Sequence, residues 1–218
     1  MRTIRVTGKG NIKVRPDVTR VSIELSHTDK QYSEVLERSV KDTEAMKQLI
    51  VKLGFAKEDL KTVSFDIEEE YESYQDRNNN YRQRLKGYTY HHELKVEFDS
   101  DNDRLGNILY ALGTSELKPE IHLSYTVKDP EAVKNKLLKK AIEDAKAKAE
   151  ILSAAAGVKL IAIESIDYSW GEISFETQPM NRALKMDALC EAPVGAPLDI
   201  EPEDIESSDT VTVVWSIA

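Results

Sequence analysis

The chain has 218 residues, one cysteine and a formal net charge of −9, with 40% apolar and 32% charged residues, the composition of a soluble globular fold of one large or two small domains. The acidic balance argues against nucleic acid or an anionic membrane as a main partner. The lone Cys190 excludes an internal disulfide, and no apolar run approaches the roughly 18 residues of a membrane span.

Met1-Arg2-Thr3-Ile4-Arg5-Val6 enters a strand alternation at once, with no apolar signal-peptide core, so a cytoplasmic location is expected. Ile4 and Val6 share one face of a first strand, and Val21, Ile23 and Leu25 one face of a second. A helix is expected from about Gln31 to Leu53, turning Val35, Val40, Met46, Leu49 and Leu53 inward and stopping at Gly54. Phe65 and Ile67 begin a third strand, and Leu94, Val96 and Phe98 end a fourth. Between them Ser73 to Lys86, rich in Asn, Gln, Asp and Arg, reads as the solvated tip of a long hairpin. A short helix carries Leu105, Ile108, Leu109 and Leu112 and closes at Gly113, and Ile121, Leu123, Tyr125 and Val127 form a fifth strand.

The segment from Asp129 to Gly157 has the clearest helix signals: an Asp129-Pro130 start, a glycine stop, and a stripe of Val133, Leu137, Ala141, Ala145, Ala149, Leu152 and Ala156. So much alanine requires a broad, flat neighbour at close range, which a sheet provides. Leu160 to Tyr168 is a sixth strand, apolar on both faces at its start and therefore expected to be central. Val211, Val213, Trp215 and Ile217 form the last strand. The order ββαββαβαββ is that of an α+β fold. Residues 1–218 are expected to form one domain, a mixed, mainly antiparallel sheet packed by two long helices and one short helix. A hairpin at about 70–90 projects from it, and an irregular arm at about 170–207 exceeds the usual length of a loop.

Candidate chemistry is weak throughout. Asp99-Ser100-Asp101-Asn102-Asp103 opens like a calcium loop, but Arg104 and Tyr110 stand where glycine and glutamate are required, so capping of the short helix explains it better. His91 and His92 are adjacent on a strand and point to opposite faces; His92 shares the parity of Leu94, His91 that of Glu93, and His27 and His122 stand alone. Cys190 has Glu191 beside it, which opposes thiolate formation. Gly8-Lys9-Gly10 precedes no helix and reads as a bulge or tight bend rather than a phosphate loop. Asp66, Glu68, Glu70 and Glu72, with Glu69 beside them, line an edge-strand face, the pattern of a solvated, aggregation-resistant edge. The lysines Lys134, Lys136, Lys139, Lys140, Lys146 and Lys148 find helix partners at the spacing of Lys140–Asp144, Asp144–Lys148 and Lys146–Glu150. No catalytic residue, cofactor or metal is expected from these patterns.

Val6-Thr7-Gly8-Lys9-Gly10 followed by Pro16-Asp17, then Asp59-Leu60-Lys61-Thr62, Gly87-Tyr88 and Asp103 to Gly106, resembles the SIMPL-domain family, which includes bacterial periplasmic immunogenic proteins. The long helix with Ala141, Ala145, Lys148 and Ala149, then Gly157, and the ending Ile200-Glu201-Pro202 to Val211-Thr212-Val213 extend the resemblance over nearly the whole chain. It implies an α+β fold, no established enzymatic activity, a tendency to form homo-oligomers and, for bacterial members, an association with stress tolerance. Trp170 to Glu191 has no counterpart in that pattern. The expected role is a non-catalytic, self-assembling interaction protein that takes protein partners. The alternative is an enzyme with a site on the acidic strand face near Glu68 and Glu70.

Overall fold

The computed structural model describes residues 2–75, 79–168, 173–178 and 200–218; Cys190 and most of the arm expected at about 170–207 lie outside the described residues. The elements are β1 (Arg2–Val14), β2 (Val18–Asp29), α1 (Tyr32–Lys52), a 3-10 turn (Lys57–Asp59), β3 (Lys61–Gln75), β4 (Tyr81–Asp99), α2 (Asn102–Gly113), β5 (Glu120–Thr126), α3 (Pro130–Ala156), β6 (Leu160–Tyr168), β7 (Glu176–Thr177) and β8 (Ile205–Ile217). The α+β class is as expected, with two sheets in place of one. The first has the order β1-β8-β6; the second runs β3-β4-β2-β5, with β7 added at the last two residues of β5. The chain divides into two compact units, one of Met1–Asp17, Tyr125–Thr177 and Pro202–Ala218, the other of Val18–Ser124 with Gln178–Glu201.

In the first unit β1 and β8 pair antiparallel from Arg2↔Ile217 to Val14↔Ile205. Val6, Val211, Val213 and Trp215 form the covered face, and Ala141, Ala145 and Ala149 of α3 close over it. Asp129 caps α3 by accepting from the Ala132 N–H at 2.8 Å, and Gly157 ends it in the left-handed region at φ 68°. Gly8 and Gly10 belong to the continuous strand β1, not to a bend. A Cβ on Gly8 would meet the Ala141 carbonyl oxygen and the Ala145 amide, and one on Gly10 the Leu137 carbonyl oxygen. The glycines exist to let helix backbone lie against strand backbone. The Lys9 N–H donates to Asp144 at 2.7 Å across that contact. Lys148 pairs with Asp144 at 2.7 Å as expected, whereas Lys140 donates instead to the Asn11 carbonyl at 3.2 Å.

The stripe of α3 ends differently from its expected course. Leu152 and Ala156 are exposed, and Ser153 takes the inward position. Strand β6 is an edge, not the centre: β8 holds β1 on one side and β6 on the other. Register shifts between Leu160 and Ser165 break the alternation of β6, and Ile161, Ile163 and Ile166 are left exposed. Of the arm, Phe175 is buried within this unit against Val127, Val133 and Ile205, and Ile173 packs beside it.

The second unit has a larger core. Val21, Ile23 and Leu25 of β2 and Leu94 and Val96 of β4 meet Val35, Met46 and Ile50 of α1 and Leu105, Ile108 and Leu112 of α2. Asp101 caps α2 through the Arg104 N–H at 3.0 Å, the role foreseen for the acidic run. Val40, expected inward, is 63% exposed, and the inward positions of α1 are Val35, Ser39, Asp42, Met46 and Ile50. Asp42 explains the rotation. It accepts from the buried Tyr90 hydroxyl at 2.7 Å and from Arg38 at 2.9 Å, so the helix turns a polar residue to the sheet where hydrophobicity alone selects valine.

Candidate functional site

Strand alternation divides the second unit's sheet into a covered and an open face. Odd positions of β2 enter the core; Ser22, Glu24 and Ser26 point the other way. Register then sets their neighbours: Glu24 opposes Glu93 and Ser26 opposes His91 on β4, while Ser64 opposes Glu93 and Asp66 opposes His91 on β3. The result is an open depression of about 340 Å³ lined by Glu24, Ser64, Asp66, Glu68, His91 and Glu93. The His91 Nδ1–H donates to Glu24 Oε1 at 3.0 Å. On the opposite side of β2, strand β5 carries Glu120 and His122, two residues apart and hence on one face. Ligand atoms of Glu24, Glu120 and His122 lie within 4.8 Å of one another.

Of the acidic residues singled out in the sequence, Glu68 lines this depression. Glu70 does not. It pairs with Lys86 at 2.9 Å and accepts from Thr28 and Thr89, contacts that hold its carboxyl below the usual range, Lys86 first among them. Glu72 is paired with Arg84 at 2.6 Å. Glu68 and Glu70 therefore lie in different surroundings, Glu68 on the open depression and Glu70 held by Lys86 and two threonines.

His92 behaves as its parity suggested, as a satisfied core residue. It is buried, its two ring nitrogens 3.0 Å from the hydroxyls of Thr43 and Thr62, with Phe65 edge-on at 5.2 Å. Burial, with Lys47 second, pushes its imidazole below the ordinary value. His122 does not stand alone, because β5 lies beside β2. Only strand order supplies that neighbour; the chain separates Glu24 from His122 by most of the unit.

The hairpin is the other exposed feature of this unit. Pairing of β2 to β4 ends at Asp29↔Tyr88, yet β3 and β4 continue together to Gln75↔Tyr81. Both strands run further into the polar tip than the sequence suggested. A two-stranded ribbon of roughly 20 Å therefore extends beyond the sheet. Tyr71, Tyr74, Tyr81 and Leu85 are exposed on it, Tyr81 at 79%.

Residues 4–215 match the SIMPL family model, described as "Protein of unknown function (DUF541)". The chain is similar to the 26 kDa periplasmic immunogenic protein of Brucella abortus (strain S19), at 30% identity over 181 residues, 81% of this chain and 69% of that protein. It is also similar to the uncharacterized protein YggE of Escherichia coli (strain K12), at 27% identity over 217 residues, 98% of this chain and 82% of that protein. The periplasmic name of the Brucella relative leans against the cytoplasmic location expected from the first residues. No described helix is long and apolar enough to cross a membrane. A match covering nearly the whole chain is decisive for membership: the chain belongs to the SIMPL family.

Proposed function

We propose that this protein is a non-catalytic, self-assembling interaction protein whose copies join through the hairpin ribbon. The observation that carries this reading is the ribbon itself. An isolated two-stranded hairpin is marginally stable in water, and this one leaves three tyrosines and a leucine uncovered. A second copy is the cover we infer, because it brings an identical set of uncovered tyrosines and leucine to the contact. The ribbon's charges are paired within it, Glu70 with Lys86 at 2.9 Å and Glu72 with Arg84 at 2.6 Å, so the contact between copies rests on these side chains and not on charge. The name of the Brucella relative supports a periplasmic location for this assembly. The stress-related role implied by the family resemblance is that of such an assembly acting on protein partners.

Light scattering of the purified protein at roughly 50 µM tests the proposal. A native mass that is a multiple of the 24.7 kDa chain is expected, with Tyr81→Glu and Leu85→Glu together returning it to one chain. A wild-type mass of 24.7 kDa ends the proposal, as does an oligomer that the two substitutions leave intact.

A further inference from the structure

We propose that Glu24, Glu120 and His122, with His91 steadying Glu24, bind one divalent transition-metal ion of the zinc class on the open face of the second unit's sheet. Three observations converge. The donor atoms of Glu24, Glu120 and His122 already lie within 4.8 Å of one another, near the spacing of about 4 Å or less that metal–ligand bonds of 2.0–2.2 Å require. Ordinary rotamer adjustment of exposed side chains closes that gap. The side chains of Glu120 and His122 make no hydrogen bond or ion pair with any described residue, which leaves their donor atoms available to an ion. The surroundings concentrate cations. Glu93 lies directly across from Glu24, and Asp66 and Glu68 line the same depression.

The donor set also selects the metal. A carboxylate–carboxylate–imidazole cluster suits zinc and its neighbours, whereas calcium and magnesium require oxygen ligands in greater number. His91 completes the arrangement: its Nδ1–H occupies Glu24 Oε1 at 3.0 Å, fixing the carboxylate and leaving its other oxygen for the ion. Water fills the remaining positions, since the face is open. The site is independent of the ribbon, because its ligands lie on β2 and β5 and the ribbon begins where pairing to β2 ends.

Calorimetric titration of the full chain, purified without a histidine tag and stripped with chelator, tests the assignment. Zinc is expected to bind at one equivalent per chain with a micromolar dissociation constant and to raise the melting temperature. His122→Ala and Glu24→Gln should each weaken binding about tenfold or more. His27→Ala, on the opposite strand parity, should leave it unchanged. A large excess of magnesium should not compete. Circular dichroism of the metal-free variants checks that they fold. Less than half an equivalent bound at about 0.1 mM zinc overturns the site, as does equal weakening by His122→Ala and His27→Ala, or displacement by magnesium.

Discussion

The first unit meets its helix through backbone, the second through long side chains. In the first, Gly8 and Gly10 of β1 lie under Leu137, Ala141 and Ala145 of α3, so closely that no Cβ fits between. In the second, α1 and α2 are held off their sheet by Met46, Ile50, Leu105, Ile108 and Leu112. Both solutions exclude water from one sheet face, but they fail in opposite directions. A contact made of backbone has no room for added atoms; a contact made of side chains suffers most when atoms are removed.

The largest expected effect is Gly10→Val. Its β-carbon would strike the Leu137 carbonyl, which belongs to a helix and cannot swing aside as a side-chain tip does. Destabilisation above about 4 kcal/mol is expected, read as loss of the folded baseline in a urea titration. A Gly10→Val protein that unfolds near the wild-type midpoint would mean α3 is free to lift off β1. Next comes Leu105→Ala in the second unit, a fully buried truncation expected to cost about 2–5 kcal/mol by the same titration. A loss under 1 kcal/mol would mean that core collapses around the gap and resembles the first unit more than the contrast allows.

How far this contrast was legible follows from its causes. The alanine stripe announced a close sheet, and Asp129-Pro130 and Gly157 bounded α3 because caps are local chemistry. Gly8-Lys9-Gly10 suggests a bulge or tight bend where the strand in fact runs unbroken under α3, since glycine signals permissiveness without saying which neighbour exploits it. Strand β6 read as central because apolar character on both faces usually means burial; here bulges turned its isoleucines outward. The position of Val40 depended on Asp42 finding Tyr90, a partner 48 residues away that no helical periodicity reveals. The candidate metal cluster was illegible for the same reason. Glu120 and His122 advertised one face by spacing, but Glu24 joins them only through the order β4-β2-β5.

A smaller effect refines the first unit. Ala145→Leu enlarges a side chain that is completely buried over Gly8 and should cost about 1–3 kcal/mol. Lys139→Leu, at a side chain 78% exposed, should stay within about 0.5 kcal/mol of wild type. Equal shifts of the urea midpoint at the two positions would show that the α3 face is not a close contact.

The smallest effect concerns pH, and it belongs to the second unit, where all four histidines lie. His92 is the buried one, and burial, then Lys47, lower its folded-state pKa below the unfolded value. The unfolded chain therefore takes up a proton near its ordinary value of about 6.5 that the folded chain refuses. The sign is fixed: His92 contributes stability above that value, and the contribution falls as pH drops through it toward the folded-state pKa, by at most about 1.4 kcal/mol per pH unit. Carboxylates contribute to the same fall, so the wild-type slope alone does not identify the group. Comparison with His92→Gln does. The substituted protein keeps an amide between the Thr43 and Thr62 hydroxyls but cannot titrate. With chelator present, the loss of urea stability between about pH 7.5 and 5.5 should be smaller in His92→Gln than in wild type. Equal losses would mean the His92 pocket opens to water and accepts the proton without unfolding, making the second unit's core looser at β4 than its buried side chains indicate.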